Sequence, residues 1–141
     1  MKKNILFVCV FNSMRSQISE GYMNALFGDR FKAESAGLEP GSLSSLAVEV
    51  MALDGIDISK HKSKSVMAFY MNGTDYDYVI TVCDAANSGR CPVLPNAKKV
   101  LNWTFDDPSF FSGTRDEVLK RTVVIRDQIK NKIIDFASKE K

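Results

Sequence analysis

One histidine, three cysteines and no long apolar run define what this 141-residue chain cannot easily be. A lone His61 cannot supply a histidine-rich metal site. Cys9, Cys83 and Cys91 are an odd number for a static disulfide framework, so in a reducing compartment they point to reactive, metal-binding or simply buried thiols. No C-x-x-C spacing or nearby histidine supports a thiolate metal site, so neither a metal nor a cofactor is expected. No apolar stretch approaches the roughly 20 residues of a membrane span. The opening MKKNILFVCV is too short for a signal peptide and is interrupted by Asn12, Ser13 and Arg15, so a cytoplasmic protein with no membrane partner is expected. One-sided charge is also missing. Nineteen Lys and Arg against 17 Asp and Glu leave +2, which argues against nucleic acid and leaves room for a small anion held by a few focused donors. Repeats, low-complexity tracts and linkers are absent. The length suits a single domain, 1–141, and nothing demands more than a monomer.

What is present alternates strand and helix. Lys3 to Cys9 is a nearly continuous apolar run, as in a strand buried on both faces. Ser16 to Phe27 reads as a helix with Ile18, Tyr22, Ala25 and Leu26 inward and Gly28 as its stop. Phe31 to Ser35 reads as a strand ended by Ala36-Gly37. Ser44 caps a helix to about Leu53, with Leu46, Val50 and Leu53 inward. Val66 to Tyr70 is a short helix, Tyr76 to Val82 a third strand and Lys98 to Leu101 a fourth. Arg115 to Ser138 is a long amphipathic helix with a stripe through Val118, Thr122, Ile125, Ile129, Ile133 and Phe136. This order predicts an α/β fold with a small parallel sheet. Ligands of such sheets sit beyond the carboxyl ends of the strands. Cys9 ends the first strand and Cys83 follows the third. Asp106 and Asp107 follow the fourth. One rim therefore gathers the residues capable of chemistry.

The stretch FVCVFNSMRS carries the sharpest signal. Five residues, Val10, Phe11, Asn12, Ser13 and Met14, separate Cys9 from Arg15. A loop that short between a strand and a helix curls its N–H groups around one centre, to which the helix adds its own unpaired donors and positive dipole end. Such a centre suits a tetrahedral oxyanion, and Arg15 can fork two donors onto it. The same field favours a thiolate at Cys9, Ser16 can donate to its sulfur, and Asn12 tolerates the left-handed backbone of a tight loop. A structural cysteine beside a surface arginine is the competing reading. The preceding strand, the following helix and Ser16 together favour the catalytic one.

Residues Cys9 to Ser16 resemble the active-site loop of the low-molecular-weight protein tyrosine phosphatase superfamily. The stretches RSQISEGYMNALF, ESAGLEPGSLSSLAVEVMALDGIDIS, YDYVITVCDAANSGRCPVLP and WTFDDP are similar to its thioredoxin-coupled arsenate reductase branch. The resemblance implies a three-layer domain around a central four-stranded parallel sheet of order 2-1-3-4. It implies oxyanion binding by residues 10–15, Cys9 as nucleophile, and Asp107 as the acid for the leaving oxygen. Cys83 and then Cys91 would be resolving thiols, and thioredoxin or another dithiol protein the partner that recharges them. Phe11 stands where the loop usually carries Gly, and Met14 where it often carries Cys. Some relatives bind potassium beside the loop. The matching positions are Asn12, Glu20 and Ser35, with Lys64 in place of an acidic ligand, so no potassium requirement is expected.

The alternative is a phosphatase hydrolysing aryl phosphates through a Cys9 phosphocysteine, which would leave Cys83 and Cys91 idle. A third reading is a non-catalytic oxyanion-binding protein. Cys83 and Cys91 are eight positions apart. A helix between them would separate them by about 12 Å, beyond the roughly 7 Å a disulfide allows, so residues 84–90 are expected to rearrange on oxidation. Asp106 reads as solvated, His61 as an exposed loop residue, and Phe110 and Phe111 as packing or a pocket wall.

Overall fold

The computed structural model describes residues 2–12, 14–39, 41–71, 75–83, 97–108 and 111–140, with the side chains of residues 70 and 83 left aside. Eight elements follow in the order β1 Lys3–Cys9, α1 Arg15–Phe27, β2 Phe31–Gly37, α2 Ser45–Leu53, α3 Val66–Met71, β3 Tyr76–Cys83, β4 Ala97–Thr104 and α4 Arg115–Lys139. The strands form one parallel sheet of order β2-β1-β3-β4, as the family resemblance implied.

The apolar runs explain the layering. Along β1, Ile5, Phe7 and Cys9 face one side and Leu6 and Val8 the other, the period of two that a pleated strand imposes. The first side packs against Ile18, Tyr22 and Met23 of α1, Val50 and Met51 of α2, and Ile125, Ile129 and Ile133 of α4. The second packs against Val66 and Phe69 of α3. The result is helix, sheet and helix in three layers. Phe136 fastens the end of α4 to the sheet, its ring centroid 5.0 Å from Tyr78 and 5.8 Å from both Phe31 and Trp103. Ser44 caps α2 by accepting from the Ala47 N–H, and Thr114 caps α4 by accepting from the Glu117 N–H.

Three expectations change. β4 is twice the predicted length because it lies at the edge of the sheet, paired on one side only, so mostly exposed positions such as Lys98 and Lys99 break its apolar run. Ala25 and Leu26 are exposed, whereas the first half of α1 is buried all round, Ser16, Gln17, Ser19 and Glu20 included. A helix enclosed by the sheet, α2 and α4 has no polar face at that end, so a stripe misjudges it. Leu53 is likewise exposed, and Ala47, Val50 and Met51 make the inward face of α2.

Candidate active site

β1 is the pivot of the sheet. The chain leaves it to one side for β2 and returns on the other for β3, so the carboxyl ends of β1 and β3 form the crevice where ligands of open α/β sheets bind. Cys9 closes β1 and Cys83 closes the neighbouring β3, with Val8 paired to Thr81 in the register. Thr104 closes β4, and Asp107 follows three residues later.

The loop after Cys9 turns its carbonyls outward. Cys9, Val10 and Phe11 carbonyls accept from the N–H groups of Leu38, Glu39 and Gly41 at 3.3, 2.8 and 2.9 Å. A planar trans peptide points its N–H opposite its carbonyl, so the N–H groups of Val10, Phe11 and Asn12 face the loop interior. Asn12 takes the left-handed backbone the sequence suggested, with φ 51°. Phe11 is 46% exposed, whereas Val10, Asn12 and Met14 are buried. Main chain thus faces the loop interior, while the Phe11 side chain is exposed to solvent.

A backbone donor orients the Asn12 amide beside the sulfur. The Lys64 N–H donates to Asn12 Oδ1 at 2.8 Å, which leaves Asn12 Nδ2 to donate to Ser16 Oγ at 2.7 Å. Ser16 Oγ, 2.9 Å from Cys9 Sγ, is free to turn its single hydrogen onto a sulfur that carries none. The Asn12 N–H adds a second donor to the same sulfur at 3.1 Å. Two donors aimed at one sulfur suit its anionic form, the form that attacks electrophiles.

Arg15 is 5% exposed. One guanidinium nitrogen donates to the Phe105 carbonyl at 3.1 Å, and the other lies 3.3 Å from Asp107 Oδ2. These contacts bring the loop before α4 against the start of α1, so cation, carboxyl and thiol share one rim as predicted. Asp106 is exposed, as expected. Phe111 is half-buried, with the Arg121 guanidinium 4.1 Å from its ring centroid. The two line a hollow of about 180 Å³ together with Asp106. Phe110, Ser13, Cys91 and the 84–90 segment lie outside the described residues, and of Cys83 only the strand-end backbone is described.

Behind the loop, Glu20 accepts from Ser35 Oγ at 2.8 Å, with Lys64 Nζ at 3.7 Å and His61 Nδ1 at 3.1 Å. His61 is therefore not the exposed loop residue the sequence suggested, because the buried Glu20 carboxylate draws hydrogen-bond donors to it. The potassium-site positions do not fit the cation. The Lys64 ammonium already answers the carboxylate a potassium ion would use. Among the described residues, no group of three His, Cys, Asp or Glu side chains could hold a metal. No helix among them is long and apolar enough to cross a membrane. Sequence reading missed Gln17, whose amide reaches Asn12, Lys62 and His61. A glutamine directly after the arginine–serine pair was its only signal in the sequence.

A family model described as low molecular weight phosphotyrosine protein phosphatase matches residues 4–139. The arsenate reductase of Bacillus subtilis strain 168 is 40% identical over 136 residues, spanning 96% of this chain and 95% of that protein. An arsenate reductase solved in the phosphate binding state superposes with a TM-score of 0.80 at 31% identity, covering 100% of both chains. A low molecular weight protein tyrosine phosphatase from T. tengcongensis gives 0.76 at 26% identity over 98% of this chain and 99% of that one.

Proposed function

The chain belongs to the low molecular weight phosphotyrosine protein phosphatase family, and on that premise we propose that it reduces arsenate to arsenite through a cysteine relay. The N–H groups of residues 10–15 and the Arg15 guanidinium hold the oxyanion. Cys9 sulfur attacks arsenic(V), forming a sulfur–arsenic bond, and Asp107 gives its proton to the departing oxygen, which leaves as water. Cys83 sulfur then attacks Cys9 sulfur. The sulfur–arsenic pair goes to arsenic, which leaves as arsenite, and a Cys9–Cys83 disulfide holds the two lost electrons' worth of oxidation. Cys91 exchanges onto Cys83 and frees Cys9, and a dithiol protein such as thioredoxin reduces the Cys83–Cys91 bond.

One observation carries this reading: the doubly hydrogen-bonded Cys9 sulfur sits in an oxyanion-shaped loop, and Cys83 closes the adjacent strand. The likeness to arsenate reductases over nearly the whole chain supports it. A phosphatase would need Cys9, Arg15 and Asp107 alone.

The deciding experiment is a single turnover. Pre-reduced protein is mixed with excess arsenate and no reductant, arsenite is counted, and disulfides are mapped by mass spectrometry. One arsenite per chain with a Cys83–Cys91 bond is expected, together with loss of arsenite release in Cys83→Ser. Three free thiols and no arsenite, with hydrolysis of aryl phosphates intact in Cys83→Ser, would establish the phosphatase instead.

A further inference from the structure

We propose that Gln17 is a positioning residue for Cys9, clamping Asn12 so that its N–H and, through Ser16, a hydroxyl stay aimed at the sulfur. Only the role of Cys9 as nucleophile is taken from the reading above. Gln17 is 0% exposed. Its Nε2 lies 3.1 Å from the Asn12 carbonyl, 3.1 Å from Asn12 Oδ1 and 3.0 Å from the Lys62 carbonyl. An amide nitrogen has two hydrogens. One is shared by the two Asn12 oxygens, and the other goes to Lys62. A single group thus grips the backbone and the side chain of the same residue, the one with φ 51°. Asparagine tolerates that conformation better than most side chains, and a grip on both its carbonyl and its side chain holds it there.

Gln17 is itself held in orientation. All three neighbours of its nitrogen are acceptors, so its oxygen faces His61 Nδ1 at 3.1 Å. That nitrogen must carry the hydrogen, which it also presents to Glu20 Oε2 at 3.1 Å. With Cys9 as its thiolate the path from His61 to sulfur runs one way: His61 donates to Gln17, Gln17 to Asn12, Asn12 to Ser16 and Ser16 to Cys9. Ser63 Oγ and the Lys64 N–H support Asn12 from outside but do not tie its carbonyl to its side chain.

The test is Gln17→Met, which keeps length and volume and removes both donors. Cys9 alkylation by iodoacetamide is followed by peptide mass spectrometry at pH 6 and pH 9 in reduced protein. Glu20, His61 and Lys64 surround the clamp and are present in every variant, so their own titration is common to all arms. The pH 6 to pH 9 rate ratio is expected to fall about tenfold in Gln17→Met, the scale of one weakened hydrogen bond to a charged group. In an Asn12→Gly background, where glycine adopts the left-handed turn unaided, the same substitution is expected to change the ratio less than about twofold. An unchanged ratio, or an equal fall in both backgrounds, would overturn the assignment. If Gln17→Met fails to fold by circular dichroism, Gln17→Asn, too short to span the clamp, takes its place with the same expectations. Alkylation needs no arsenate, so a shifted ratio in a protein that releases no arsenite would keep the clamp and discard the reductase.

Discussion

Gly37→Ala is the most demanding perturbation of the loop that leaves every functional side chain in place. Gly37 pairs with Cys9 across the β1–β2 ladder and donates its N–H to the Lys64 carbonyl. A Cβ added there would lie 2.8 Å from the Val10 carbonyl oxygen, 2.9 Å from the Asn12 nitrogen and 3.0 Å from Asn12 Cβ. Two of these atoms are backbone, and Val10 is pinned by the Glu39 N–H, so no flexible side chain can give way. Overpacking of this kind costs about 1–3 kcal/mol. If the loop absorbs it, the Asn12 N–H leaves its line to the sulfur and the inward donors lose their common centre. Each 1.4 kcal/mol of lost alignment weakens oxyanion binding about tenfold. Phosphate protection of Cys9 from alkylation measures that affinity without turnover, and a loss of about tenfold or more is expected. Gly55→Ala is the control. Its φ is +78° and nothing lies within 4 Å of its Cβ. It costs about 1 kcal/mol in backbone conformation alone, far from the loop. Melting points should drop in both variants by about 4 °C per kcal/mol, with phosphate affinity lost only in Gly37→Ala. Equal affinity in the two variants would refute the argument that β2 sets the loop.

Three other outcomes are expected. Arg15→Lys keeps charge but not the planar fork, so kcat/KM for arsenate should fall about 100-fold with little change in melting point; a loss under about threefold would count against a forked contact. Potassium chloride in place of sodium chloride, at constant ionic strength, should not raise turnover, because Lys64 Nζ stands 3.7 Å from Glu20 Oε1; a clear rise would show the cation displacing the ammonium. The Tyr22 hydroxyl, then Lys130, hold the Asp54 carboxyl below its usual range, over contacts of 2.7 and 3.0 Å. A depressed carboxyl contributes stability that is complete above about pH 4 and lost as pH falls through the lower folded value. Asp54→Asn should therefore flatten the melting-point decline below about pH 4, and an unchanged slope would remove Asp54 from the acid response.

Cys9, Asn12, Arg15 and Ser16 were legible because their relation is local: a strand, a tight turn and a helix start within eight consecutive residues bring them together whatever the rest of the chain does. Cys83 and Asp107 were legible through topology, since a parallel sheet collects its strand ends on one rim. The supports were not. Gln17 meets the Lys62 carbonyl 45 residues away and Arg15 meets the Phe105 carbonyl 90 residues away, and backbone acceptors leave no mark in side-chain patterns. His61 was misplaced for a different reason: its partner Glu20 is a carboxylate on the enclosed first half of α1, and neither the burial nor the distant pairing shows in the sequence. Leu26 and Leu53 were assigned inward by periodicity. They are surface because α1 is enclosed through its first half and α2 turns Ala47, Val50 and Met51 inward, and spacing alone does not reveal where a helix is covered.

The main-chain construction of the loop divides labour between what is bound and what may approach. Donors supplied by peptide groups are indifferent to the side chains attached to them. Position 11 can therefore change without altering the charge or the number of ligands around an oxyanion. Phe11, with nearly half its surface in solvent, is a position of the loop where a side chain is free to meet other molecules. Such a site can be tuned for new visitors by substitutions there, while its anion chemistry stays constant.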